Sequence, residues 1–197
     1  MLYNKINLDV AKIACKNGFR PSINGVYFTD KKTVATDSYR LLEITVPADC
    51  NAEDYPTTDG MSAMRGCKPF IVPAGELKKI VIPKNKELPI CENVAIKHID
   101  DNRVEFLTTD ITTANTVSIG RIKEEFPNYE EIFPTSEPVD TLVINAEYLI
   151  GLLEGLKKLG GSNNKITIKT YGNDKPIVLE ADNGNQKGRA MLMQIKE

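Results

Sequence analysis

Three stretches of this chain repeat one order of elements, and that order restricts the fold more than any single residue does. Residues 1–47 begin with a strand-like YNKINLD (3–9). A short helical DVAKIACKNG (9–18) follows, closed by Gly18, and then three β patterns: INGVYFTD (23–30), KKTVATDS (31–38) and RLLEITVP (40–47). Residues 69–134 repeat the order with PFIVPA, a helical candidate GELKKIVI (75–82), and the β patterns NVAIKHID, RVEFLTTD and TANTVSIGRI. Residues 140–197 repeat it again: TLVINA, the helix EYLIGLLEGLKKLGG (147–161), then KITIKTYG, KPIVLEAD and GRAMLMQI. Asn145 caps that helix and Gly160–Gly161 stops it. A period of roughly 65 residues with one helix and about four strands per unit predicts an α+β repeat protein.

The joints divide the units into domains. Residues 1–134 form a domain of two units, 1–47 and 69–134, joined by a polar, aperiodic loop at 48–68 that reads as a mobile excursion or a functional loop. The proline-bracketed PTSEPVD joint leads to a third unit, 140–197.

Composition narrows the function. With 25 basic and 27 acidic residues the net charge is −2, which excludes a globally basic nucleic-acid binder but leaves a local basic face open. No apolar run is long enough to cross a bilayer, and the N-terminus does not read as a signal peptide. Cys15, Cys50, Cys67 and Cys91 form no CxxC pair and read as reduced thiols of a cytoplasmic protein, although a Cys50–Cys67 bridge is sterically conceivable.

Catalytic patterns are missing. The one histidine, His98, lies in a β pattern and has no cysteine or carboxylate at metal-ligand spacing, so no metal site and no cofactor is expected. The sequence carries no GxGxxG, P-loop, GxSxG or HExxH signature. Asp37, among the hydroxyls of ATDSYR, reads as a turn residue. The expectation is a protein that binds and does not catalyse.

Several segments, in order, carry a family resemblance: INGVYFTD with VATDSYRL (34–41), FIVPAGELKKI, GRIKEEFPNYEEIFP (120–134), and VINAEYLIGLLEGLKKLGG through KPIVLE to AMLMQIKE. They resemble the bacterial DNA polymerase III β subunit, the sliding clamp, over its middle domain and the closing half of its last domain. The resemblance implies a DNA-clamp-like fold with sheets outside and helices on one face. It also implies a processivity factor that tethers replication proteins to double-stranded DNA without reading sequence. Inner-face candidates are Lys12 and Lys16, spaced i and i+4, with Arg20, Lys78, Lys79, Lys157 and Lys158, diluted by Asp9, Glu76, Glu147 and Glu154. The bland alternative is a set of solvated helix faces with pairs such as Glu154–Lys158.

The family also has a pocket that receives short apolar motifs of DNA polymerase and other replication proteins. The corresponding positions are Ile23, Thr36, Ser38, Tyr39, Arg40, Leu41, Pro127, Ile132, Met191, Leu192, Met193 and Ile195. Methionines suit varied apolar guests, while Leu192 stands where the family often has proline. Three units fall short of the family's six, and the first domain and the opening half of the last have no counterpart. An unpaired third unit predicts a homo-oligomer, in which two chains join their third units into one domain through the helix at 149–159 and its strands. Four chains would then supply the family's twelve units in a ring. The competing reading is a clamp-like protein-binding module or clamp regulator that never encircles DNA.

Overall fold

Asn4 ends the first strand and starts the first helix. Its side chain accepts from the backbone N–H of Ile6 and Asn7, while the Asn7 side chain accepts from the Asn4 N–H, a reciprocal cap. Strand β1 is therefore only Leu2–Asn4, and α1 runs Lys5–Asp9, extended by a 3-10 turn at Val10–Lys12. This corrects the strand expected at 3–9 and moves the helix expected at 9–18 toward the N-terminus. The computed structural model describes residues 2–16, 20–48, 52–56, 68–157, 159–172 and 175–195. It divides into two units, Met1–Glu130 and Glu131–Glu197.

Unit 1 continues with β2 (Gly25–Phe28), β3 (Lys32–Thr36), β4 (Leu41–Thr45), β5 (Phe70–Pro73), β6 (Asn93–Ile99), β7 (Arg103–Thr109) and β8 (Ala114–Gly120). The helix expected at 75–82 is a single 3-10 turn, Glu76–Lys79, because Ile80 is already extended and the β-branched Val81 and Ile82 lead into Pro83. The strands form two antiparallel four-stranded sheets, ordered β1-β6-β7-β8 and β4-β3-β2-β5. The first strand of each repeat thus joins the sheet of the other repeat. Gly25 permits this exchange: a Cβ there would lie 2.6 Å from the Val72 carbonyl oxygen on β5.

Both repeats share one core. Phe28 stacks on Phe70 at 5.1 Å, and Tyr3 meets Phe28 edge-on at 5.1 Å. Asn7, fully buried, donates to the Thr45 carbonyl at 2.9 Å and so fixes α1 on β4. Of the 48–68 connection, the described part, 52–56, is anchored by buried Tyr55, whose hydroxyl donates to the Asn93 carbonyl at 3.0 Å. Burial pushes that hydroxyl up to about 12. Residues 49–51 and 57–67, with Cys50 and Cys67, lie outside the described residues.

Unit 2 carries α2 (Ala146–Lys157) over a three-stranded antiparallel sheet ordered β11-β10-β9, built from β9 (Thr167–Lys169), β10 (Ile177–Asp182) and β11 (Lys187–Leu192). Asn145 caps α2, accepting from the Tyr148 N–H at 3.1 Å. Gly160 is required after it, since a Cβ there would sit 2.4 Å from the Asn164 backbone. Leu156, Ile177, Leu179, Ala181 and Leu192 form the core, with Leu149, Leu152 and Leu153 partly buried against it. The strand expected at TLVINA does not form. Residues 141–145 belong to no helix or sheet, although Leu142 and Ile144 pack on that core.

Candidate nucleic-acid interface

The exchange of first strands in unit 1 brings the helical turns of its two repeats side by side. A cleft of about 460 Å3 runs between them, bordered by Lys5, Lys12 and Lys16 from the first repeat and Lys78 from the second. Leu8, Ala14 and Leu77 make its floor, and all three are buried. These apolar residues hold the turns against the sheets, so the lysine stems start from fixed backbone while their ammonium groups reach solvent.

Among the described residues Asp9 is the one acid on this cleft. It bonds Lys5 Nζ at 2.8 Å and Lys12 Nζ at 2.9 Å. The hydrogen bond from Lys5, then that from Lys12, holds its carboxyl below the ordinary aspartate value. Four lysines against one aspartate leave the cleft net positive on a chain whose overall charge is −2. Lys79 lies outside this group and pairs with Glu76 at 2.6 Å. Arg20 is exposed just before a 3-10 turn at Pro21–Ile23. In unit 2, Lys157 is exposed in the last turn of α2, and Lys158 lies outside the described residues. Sequence reasoning missed Lys5, which fell within an expected strand; the cap that starts its helix is an Asn4–Asn7 pair outside the usual Ser/Thr-x-x-Glu pattern.

The pocket positions are distributed over both units. In unit 1, Thr36–Leu41 form the β3–β4 turn. Asp37 accepts there from the backbone N–H of Tyr39 and Arg40 and from Arg40 Nε at 2.9 Å, with Ser38 in the left-handed region at φ 76°. The Tyr39 side chain is 97% exposed on this rigid turn. Ile23 is buried, and Pro127 lies apart from the turn, on a strap considered below. In unit 2, Met191, Met193, Ile195 and Ile132 are exposed, whereas Leu192 points into the unit's own core.

Residues 126–130 form a strap on β2 and β3 of unit 1. Phe126 stacks flat on Tyr27 at 4.9 Å and meets Tyr129 edge-on. Lys32 sits 5.1 Å from the Tyr129 ring centroid and bonds Glu43 and Glu130, each at 2.9 Å. The bond to Tyr129, then those to Glu130 and Glu43, raise the Lys32 ammonium above its ordinary value.

Among the described residues no group of three His, Cys, Asp or Glu side chains could hold a metal ion, and no helix is long and apolar enough to cross a membrane. His98 lies in β6, paired with Glu105 of β7.

No protein-family model matches the chain, and no curated protein matches its sequence. Solved structures do match in fold. The DNA polymerase sliding clamp of Bacillus subtilis superposes with a TM-score of 0.72 at 14% identity, covering 100% of this chain and 49% of that one. The sliding clamp of Pseudomonas aeruginosa gives 0.71 at 15%, covering 98% and 50%. The DNA polymerase III β chain of Streptococcus pneumoniae gives 0.70 at 17%, covering 100% and 49%. The chain spans about half the length of these structures, and over that half it has the α+β fold of the bacterial sliding clamp.

Proposed function

We infer that this chain is a non-catalytic, cytoplasmic tether of the sliding-clamp kind: a processivity factor that holds replication proteins on duplex DNA without sequence preference. One observation carries the reading. The lysines of two successive repeats, Lys5, Lys12, Lys16 and Lys78, border a single cleft in a fold shared with sliding clamps. A duplex that passes through a ring needs little affinity per contact, because topology supplies retention, so a modest basic face is sufficient. Each unit offers exposed apolar side chains to partner peptides of DNA polymerase and other replication proteins, Tyr39 in unit 1 and Met191 and Met193 in unit 2.

The test is retention on nicked circular DNA before and after linearisation. A ring stays on the circle and runs off the linear ends. Equal loss from both forms overturns encirclement and leaves the second reading, a clamp-like module or regulator. The pairing of Asp9 with two of the four lysines favours that alternative.

A further inference from the structure

Unit 1 shows how a repeat of this kind is completed. Strand β5 leaves its own repeat and pairs antiparallel with β2, Phe70 opposite Phe28 and Val72 opposite Val26, all four in the core. Strand β1 does the same on β6. On its other side β5 is held by the tail of its own repeat, where the Ile122 N–H donates to the Ile71 carbonyl at 2.9 Å. Unit 2 repeats this last bond: the Ile195 N–H donates to the Val143 carbonyl at 2.8 Å. The match aligns Val143 with Ile71, and hence Leu142 with Phe70 and Ile144 with Val72. Residues 141–145 therefore hold the position of an exchanged strand that joins no sheet among the described residues.

The recipient edge is open as well. Strand β9 follows α2 as β2 and β6 follow their helical turns, yet it is an edge of its sheet, and among the described residues nothing pairs on its outer side. Ile168 lies opposite Leu179, on the face that packs the core, and is 54% exposed. The inward residues of the covered strands, Val26 and Phe28 on β2 and Val94 and Ile96 on β6, are 0% exposed.

We propose that two copies of this chain complete one clamp-like domain by exchanging strands, residues 141–145 of each copy pairing antiparallel with β9 of the other. The second copy fits because each unit 2 has one strand to give and one edge to receive. A two-fold axis satisfies both at once, as an isologous interface requires. In the register of β5 on β2, Ile144 faces Ile166 and Leu142 faces Ile168, closing the apolar face. Charge is complementary along the two segments, with Glu137 and Asp140 preceding the donated residues and Lys165 and Lys169 at the two ends of the receiving strand; in this register Lys169, bonded to Glu180 at 2.7 Å, falls opposite Thr141.

The inference rests on strand topology and not on DNA binding, so light scattering of the 197-residue chain without DNA tests it alone. The wild-type chain should run at micromolar concentration as a dimer or an even-numbered assembly. Ile168→Glu should weaken association about tenfold or more, because it sets a charge in an apolar strand edge; circular dichroism should show the variant folded, since Ile168 is half exposed in the single chain. Under oxidation, a Val143→Cys, Thr167→Cys double variant should cross-link between chains above the level of the wild type and of each single variant. A wild-type monomer overturns the proposal. So does association that survives Ile168→Glu without the cross-link.

Discussion

At the scale of single residues, Asp9 sets the strength of the basic cleft. It neutralises one charge among Lys5, Lys12, Lys16 and Lys78 by bonding two of the lysines. Both bonds are exposed, each worth about 0–1 kcal/mol to stability, so removing them should leave the fold intact. Asp9→Asn should therefore tighten binding to a random-sequence duplex by about 0.5–1 kcal/mol at low salt and steepen its salt dependence. Fluorescence anisotropy over a salt series reads both; unchanged affinity would show that DNA does not use this cleft. A second pair of residues tests peptide capture. Tyr39→Asp in unit 1 and Met193→Asp in unit 2 each place a charge on an exposed apolar side chain, and each should weaken binding of a clamp-binding peptide in a calorimetric titration, with the fold unchanged. The i,i+4 spacing made Lys12 and Lys16 legible in the sequence, whereas Lys5 was hidden by an asparagine cap that lacks the usual Ser/Thr-x-x-Glu pattern. Nor could spacing show that Leu192 turns inward while Met191 and Met193 stay exposed, since a strand edge fixes alternation but not which face is covered.

At the scale of elements, local pattern was informative where the chain is periodic and uninformative where tertiary contacts decide. The nine strand patterns that follow the helical segments all form strands, and α2 begins at its predicted cap. The helical turns of unit 1 are shorter than their patterns because burial against two sheets, not propensity, holds them. The 126–130 strap is a further case: no periodic pattern marks it, yet ring stacking and one lysine bind it to β2 and β3. Phe126→Ala should lower the stability of unit 1 by about 1–2 kcal/mol, through lost stacking and half-buried area. Lys32→Met should cost about 1 kcal/mol. Because its partners raise the Lys32 ammonium above its unfolded value of about 10.4, that contribution is complete at neutral pH and fades only as pH climbs through the alkaline range beyond it. Urea unfolding at neutral and strongly alkaline pH checks this. The gap between wild type and Lys32→Met should be full at neutral pH and shrink in alkali; a constant gap would mean that the charge on Lys32 is irrelevant to the strap.

At the scale of the molecule, the repeat was visible in the sequence but its wiring was not. Each first strand reads as part of its own unit. Only the structure shows β1 on β6 and β5 on β2, because pairing across repeats depends on shape and register that no local pattern encodes. This wiring makes the two units thermodynamically unequal. Unit 1 contains both partners of each exchange, so its stability should not depend on chain concentration. Under the proposed exchange unit 2 contains one partner of each, and its half-exposed Ile168 should be covered when a second copy binds. Under conditions where dimer predominates, the free-chain fraction falls with the square root of concentration. Amide hydrogens of β9–β11 and α2 that exchange through the free chain should then slow about threefold for a tenfold rise in concentration. Those of β1–β8 should keep one rate throughout. Hydrogen exchange read by mass spectrometry on peptides from each unit measures both at once. Concentration-independent exchange in unit 2 would mean that its open edge is stable without a partner copy, and the link between an odd number of repeats and assembly would fail with it.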